Sequence, residues 1–332
     1  MRSFGKSAIA VLCAALLAGC SSRGMTIEQL LADLSYETTA SVSAHAPKHS
    51  APASPAQSAS SQSQTGLPPT ALAIAPVEGQ VQTAALMVPS PRRAAPRKRE
   101  KQRVYSQRFR DAKPINFGKH APHRLPVHGV DVSRWQGNIN WTDLRLHGAN
   151  FVYIKATDGV DHLDPMFHKN WREAREAGMK HGAYHFFYWC SPAADQADWF
   201  IRNVPREPGA LPPVLDVEWN HLSQCKKRPS RQQVIEKMRV FLTKLEKHYG
   251  QRPIIYTAPD FYRDNLQGEF LDYPFWLRSV AAHPSQVYPG RKWVFWQYSG
   301  SGLSGGVSGK IDLNVFNGSE RDWHNWVAHN TH

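Results

Sequence analysis

From Val127 onward, apolar residues fall in short bounded runs separated by longer stretches with a different rhythm. Five runs read as strands: HGVDVS (128–133), NFVYIKAT (150–157), HGAYHFFYW (181–189), PPVLDVEW (212–219) and RPIIYT (252–257). Between most of them lie helical patterns: WTDLRLHG, PMFHKNWREAREAG closing at Gly178, SPAADQADWFIRNV, and SRQQVIEKMRVFLTKLEKHYG closing at Gly250. After Pro274 the helical patterns stop, and PFWLRS, KWVFWQYS and GGVSGKIDLNVF read as strands joined by turns. Strands alternating with helices predict a parallel sheet, and about eight of them in some 200 residues predict closure. The expected fold is α/β, a modified (β/α) TIM-like barrel over residues 127–332 with helices missing from its last third.

Ahead of the barrel, residues 21–126 are rich in Ala, Ser, Pro and Arg. From about Tyr36 they show little apolar periodicity and bury too little surface to offset their ordering entropy. A disordered basic tether is expected, with a reach of about 50 Å for roughly 90 residues. Most of the whole-chain charge of +13 belongs to it: residues 36–126 hold 13 Lys and Arg against 4 Asp and Glu, whereas 127–332 hold 24 against 21. The run RRAAPRKREKQR, Arg92 to Arg103, is the densest part. Such a run can bind nucleic acid, acidic lipid or acidic wall polymer, or it can be a solvated linker with no dedicated partner.

The first twenty residues favour export, and so wall or membrane over nucleic acid. Arg2 and Lys6 give a positive start, Ala8 to Leu17 form an apolar run too short to span a bilayer, and LAGC closes it at Leu17 to Cys20. This end, followed by Ser21 and Ser22, resembles the bacterial lipobox; an ordinary signal peptide with a chance Cys is the alternative. The resemblance implies a signal peptide over 1–20, an acylated Cys20 held in a lipid bilayer and, with Ser21 rather than Asp, an outer-membrane lipoprotein facing the periplasm. Thr26 and Gln29 then have capping-box spacing, with Ile27, Leu30, Leu31 and Leu34 on one face, as a short helix on the bilayer or an incidental pattern. Of four cysteines, Cys13 leaves with the signal and Cys20 takes lipid. Cys190 and Cys225 remain, as a disulfide in an oxidising compartment or as two buried thiols.

Candidate chemistry centres on VLDVEW, where Asp216 and Glu218 lie two apart and share one face of a strand. In a (β/α) barrel the C-terminal strand ends build the active site, and two close carboxyls push one another's pKa upward. Asp131 ends the first strand and Asp312 lies in the last, and closure makes those strands neighbours. Four acids at one mouth suit a reaction that develops oxocarbenium-like charge. The alternatives are ion pairs for Asp216 and Glu218, a turn cap for Asp131, and an Asx turn of Asp312 with Asn314.

These residues carry a resemblance to glycoside hydrolase family 25 lysozymes, which are N-acetylmuramidases. It runs through GVDVSRWQG (129–137), FVYIKATDG (151–159), GAYHF (182–186), VLDVEW (214–219), PIIYT (253–257) and WQY with a following strand Asp. It implies cleavage of the β-1,4 bond between N-acetylmuramic acid and N-acetylglucosamine, Glu218 as general acid, Asp216 as its partner, and Asp131 and Asp312 lining the site. The family resemblance leaves open retention assisted by the substrate's acetamido group or inversion through water, and a similar acid–x–acid strand in substrate-assisted glycosidases favours the first, with Asp216 steadying the attacking acetamido group. Lys155, Tyr184, Tyr256, Trp276 and Gln297 are expected to bind substrate, with Trp135, Trp219, Trp296 and Tyr298 as further aromatic candidates or core residues. Two positions depart from the common pattern: Asp158 stands where Glu is usual, and Arg278 where a small residue is usual, offering a contact to acidic wall peptide. No H-E-x-x-H, paired C-x-x-C, Walker A or G-x-S-x-G motif occurs, and His181 and His185 read as one core and one rim residue. Neither metal nor organic cofactor is expected, and the partners are peptidoglycan strands and the bilayer, with the protein a monomer. A non-catalytic wall-binding lipoprotein, or an exported lysozyme aimed at foreign walls, are the competing functions.

Overall fold

The computed structural model describes residues 103–220, 225 and 228–331. The segments expected to be a signal peptide, an acylated Cys20, a short helix or incidental pattern at Thr26, and a tether as far as residue 102 lie outside the described residues.

Among the described residues, ten strands form one sheet. They are β1 (Arg110–Asp111), β2 (His128–Val132), β3 (Phe151–Asp158), β4 (His162–Leu163), β5 (Lys180–Phe186), β6 (Val214–Val217), β7 (Ile254–Thr257), β8 (Phe275–Arg278), β9 (Phe295–Leu303) and β10 (Ile311–Phe316). From β2 through β3, β5, β6, β7, β8 and β9 each neighbour is parallel. β10 then runs antiparallel to both β9 and β2, closing an eight-stranded barrel. The short β1 and β4 are antiparallel additions to β9 and β3.

The helices on the outside are α1 (Trp141–Leu146), α2 (Phe167–Glu176), α3 (Ala193–Asn203) and α4 (Arg231–Tyr249). α4 starts on a capping box between Ser230 and Gln233 and stops at Gly250, whose φ of 68° is the left-handed turn the sequence called for. Between β8 and β10 only a single turn, Pro284–Val287, interrupts the strands, so the simplified last third is as expected. The helical turns Pro259–Phe261 and Tyr262–Leu266 after β7, and one longer helix after β10, lie outside the sequence expectation. α5 (Glu320–Asn330) follows β10, capped by Ser319 and Asp322, and its Trp323 closes the floor of the barrel against Phe151 and Phe316. The polar sequence around Trp323 and Trp326 gave little helical periodicity to read.

Period-2 alternation divides each strand between two cores. Phe151, Tyr153, Tyr184, Val214, Ile254, Tyr256, Trp276, Phe295 and Phe316 fill the interior. Their neighbours Val152, Ile154, Leu215, Val217 and Ile255 pack outward under the helices. Room for the interior aromatics comes from glycine: a Cβ on Gly182 would overlap the Tyr153 ring, and one on Gly129 would lie 2.5 Å from Phe151. Each fully buried aromatic contributes roughly 2–3 kcal/mol, so the plug beneath the mouth is a major part of the fold. Cys190 and Cys225 form a disulfide, with Cα atoms 5.9 Å apart.

The expected tether does not extend to Pro126. From Arg103 the chain lies on the barrel: Tyr105 and Asn150 exchange two hydrogen bonds of 2.7 and 2.9 Å, β1 pairs with β9, and Ala112 N donates to Ser301 O at 2.9 Å. Phe117 meets Trp296 edge-on at 4.9 Å, and Phe109 packs against His128. Its few apolar residues are spaced without a period, and they dock singly into sites made by the barrel, which composition could not reveal.

A chain beginning at Val127 is therefore expected to melt at least about 5 °C below one beginning at Arg103, since it uncovers Trp296 and the β9 edge. Calorimetry of the two chains checks this; equal melting temperatures would refute a structural role for residues 103–126.

Candidate active site

Asp216 lies in β6 and Glu218 immediately follows it, alternating inward with Val214 while Leu215 and Val217 face the helices. Both carboxyls are buried, at 6% and 7% exposure. The backbone that carries them is held from outside. Phe187 N donates to Asp216 O at 3.0 Å, Trp189 Nε1 donates to Glu218 O at 3.1 Å, and Trp219 Nε1 donates to Asp264 at 2.8 Å.

On the opposite wall Asp131 of β2 and Asp312 of β10 are direct partners in the antiparallel register. Such residues share a face with Cβ atoms roughly 5 Å apart. Asp131 Oδ2 accepts from Gln297 Nε2 at 3.0 Å and from Asn314 Nδ2 at 2.7 Å. Both amides are oriented in turn: Tyr256 OH donates to Gln297 Oε1 at 2.8 Å, and Trp276 Nε1 donates to Asn314 Oδ1 at 2.8 Å. Asp131 thus occupies the barrel interior and caps no turn, and Asp312 lies within a strand rather than in an Asx turn.

Burial sets the electrostatics. It pushes Glu218 up to about 7, against the offsetting charge of Arg278. Asp216 is raised well above the usual carboxylate range by burial and then by the charge of Glu218. Asp131 is raised to about 6 by burial, with the donations from Asn314 and Gln297 pulling the other way. Asp312 is raised well above the usual carboxylate range by burial and then by the charge of Asp131, its register partner. Asp216 Oδ1 is buried and has no hydrogen-bond donor among the described residues.

The remaining sequence candidates divide. Tyr184, Tyr256 and Trp276 face the interior, and the burial-raised Tyr184 hydroxyl feels Asp131, Asp216 and Asp312. Gln297 joins them through Asp131. Lys155 is buried and pairs with Asp158 at 2.7 Å, so the shorter acid at this position serves the lysine. Trp296 and Tyr298 belong to the outer core, Trp135 is exposed, and Trp219 packs on Trp189 and Phe261. His181 and His185 are both buried, the latter between Thr157 and Gln196, so neither is a rim residue. Asn314 was not singled out as a site residue, although its spacing two beyond Asp312 placed it on the same face. Arg278, noticed only as a departure, is buried in the mouth among Glu218, Asp131 and Asp312.

Such a site sacrifices stability in a pH-dependent way. A carboxyl with a raised folded pKa favours the fold below its unfolded value, and that advantage is lost as pH rises through the folded one. For Glu218 the window runs from 4.5 to about 7. Glu218→Gln is expected to be more stable than the wild type at pH 8, by on the order of 3 kcal/mol, with the gap closing toward pH 4. Denaturant titration at both pH values checks the sign; a glutamine variant that is less stable at pH 8 would contradict it.

Residues 130–307, more than half of the chain, match the model of glycosyl hydrolases family 25. The chain is 38% identical over 223 residues to an uncharacterized protein, YegX, of Escherichia coli O157:H7, covering 64% of this chain and 78% of that one. It is also 38% identical over 206 residues to Lysozyme M1 of Streptomyces globisporus, covering 58% and 68% respectively. Among solved structures, a family 25 glycosyl hydrolase from Bacillus anthracis superposes with a TM-score of 0.58 at 42% identity, covering 62% of this chain and 95% of its own. A bacterial lysozyme from Streptomyces coelicolor gives 0.55 at 36% identity, covering 61% and 97%. With the family pattern running from β2 into the β9–β10 turn, and the barrel itself shared with solved members, this chain belongs to glycosyl hydrolases family 25.

Proposed function

We propose that the barrel hydrolyses the β-1,4 bond between N-acetylmuramic acid and N-acetylglucosamine in peptidoglycan. The observation that carries this reading is the buried pair at the end of β6, an acid that keeps its proton near neutral pH beside a carboxyl oxygen in want of a donor. The names of its relatives, Lysozyme M1 and N,O-diacetylmuramidase, support the same substrate.

In this mechanism Glu218 gives its proton to the glycosidic oxygen as the C1–O bond breaks. The substrate's own acetamido oxygen attacks C1, and Asp216 Oδ1 accepts the acetamido N–H and steadies the cyclic cation. Water then opens the ring at C1 and returns a proton to Glu218, so the anomeric configuration is retained. Asp131 and Asp312 face the developing positive charge from across the mouth.

Cys20 as an acylated anchor, an outer-membrane position facing the periplasm, and action of a monomer on the cell's own wall complete the reading. The basic residues between anchor and barrel suit an acidic wall or lipid surface.

The barrel incubated with peptidoglycan should release new reducing ends on muramic acid, at a rate that falls as pH rises through about 7. Glu218→Gln should lower kcat by at least roughly 100-fold. Equal, negligible release by wild type and variant, with both bound to the wall, would leave only a binding role. The first anomer released from a defined glycan, followed by NMR, should be the retained one; an inverted product removes Asp216 from its assigned role. In cells, Cys20→Ala should move the protein from the membrane fraction to the soluble periplasm, and an unchanged distribution would sink the anchor.

A further inference from the structure

A second cavity lies away from the acid mouth. Its volume is about 390 Å³, within the range of small-ligand sites, and Arg108, Arg110, His147, Ser304 and Val307 line it with glycines of the β9–β10 turn. Arg108 and Arg110 precede the stretch that matches the family, which begins at residue 130.

From Ser106 to Ala112 exposed and half-buried residues alternate, as an extended chain requires. Phe109 and Asp111 turn toward the barrel. The Phe109 ring packs against His128, and the Asp111 carboxylate accepts from Ser301 Oγ at 2.6 Å and from Lys113 N at 2.9 Å. Arg108 and Arg110 share the other face, roughly 7 Å apart along the chain. Their backbone is pinned: Arg108 N donates to His147 O at 2.8 Å, and Arg110 is the register partner of Leu303. Both side chains are exposed, and neither guanidinium has an ion pair, side-chain hydrogen bond or ring partner among the described residues.

The opposite wall is the turn after β9. Asn140 N donates to Gly306 O at 2.8 Å, a Cβ on Gly306 would lie 2.4 Å from Asn140 O, and one on Gly305 would overlap the His147 ring. The turn is thus seated against α1 and its cap. It holds Ser304 Oγ buried, with no hydrogen-bond partner among the described residues. The acid on this side, Asp143, is engaged with His147, whose Nδ1 lies 2.9 Å from Asp143 O and 3.2 Å from its carboxylate.

Two guanidinium forks and a hydroxyl in want of an acceptor, converging on one cavity from two pinned segments, have the chemistry of an anion site. A carboxylate offers two oxygens in a plane, which a single fork satisfies. A phosphate offers three terminal oxygens in a pyramid, enough for a fork from each arginine and a hydrogen bond from Ser304.

We propose that this cavity binds a phosphate group, carried by a lipid headgroup or by a small soluble phosphate ester. The site is separate from the catalytic mouth and does not depend on the muramidase reading.

The test titrates the full chain with inorganic phosphate by calorimetry. One saturable site is expected, with acetate bound at least roughly 10-fold more weakly. Arg108→Gln combined with Arg110→Gln should weaken phosphate binding at least roughly 30-fold, and Ser304→Ala roughly 5-fold, each with an unchanged melting transition. Arg97→Gln combined with Arg99→Gln removes the same charge from the basic run and should leave the affinity as it was. Two further arms identify the carrier. Phosphatidylcholine vesicles containing phosphatidic acid, retained by the wild type and released by the Arg108, Arg110 double variant, assign a lipid headgroup; glycerol phosphate bound at the same site without vesicle retention assigns a soluble ester. The absence of a saturable site, acetate bound as well as phosphate, or equal weakening by the Arg97, Arg99 pair would each overturn the proposal. Phosphate bound with neither carrier retained would mark an adventitious ion only, and overturns it too.

Discussion

Four carboxyls buried at one end of a closed barrel set the terms for everything around them. Beneath them the interior holds Tyr153, Tyr256, Trp276 and Phe295 and admits no solvent to screen their charges. With burial as the first cause of every shift, a carboxyl in this mouth either keeps its proton or needs a donor of its own. The four settle the matter differently. Asp131 is provided with two amide donors, Asp312 leans on Asp131, Glu218 is balanced by Arg278, and Asp216 Oδ1 is left without a donor. Differences of environment, and not of residue type, divide chemically equal groups among roles.

The antiparallel β10 is the part of the architecture that makes this division possible. A parallel eighth strand would arrive at the mouth with its last residues and place them beside β2 in a slanted register. An antiparallel strand sets Asp312 squarely opposite Asp131 and carries Asn314 one step deeper on the same face. There its amide spans from Trp276 to Asp131. Loss of the last crossover helix and formation of the Asp131–Asp312 pair are therefore one structural event. The hairpin that replaces the helix also leaves a β9 edge free, and residues 110–112 cover it.

That logic explains what could be read in the sequence. Alternation alone put Asp216 and Glu218 on one face, and the neighbourhood of first and last strands in a closed barrel brought Asp131 and Asp312 to the same mouth. Both inferences need only local periodicity and closure. Asn314 and Arg278 lie on the same faces by the same arithmetic, but their importance depends on partners such as Trp276 and Gln297 that only the folded register identifies. Residues 103–126 and α5 escaped for a different reason. Their apolar residues, Phe109, Phe117 and Trp323, bury against the barrel one at a time, and a segment that borrows its core from elsewhere shows no pattern of its own.

The acid just past β6 imposes one more constraint. Glu218 keeps its proton near neutral pH only while it remains buried, because a swing toward water would return its pKa to the ordinary carboxylate range. The strand ends at Val217, so Glu218 lies where the barrel's hydrogen bonds no longer hold the backbone. Trp189 takes over that task, donating to Glu218 O while stacking on Phe261. Cys190 follows Trp189 directly, and its disulfide to Cys225 ties the chain leaving β5 to the chain leaving β6 on either side of the acid. The two strand exits are thus fastened by one indole hydrogen bond and one covalent bond. On this argument the disulfide bears on the proton of Glu218 as well as on the stability of the barrel: loosening it frees the segment whose burial keeps the general acid an acid.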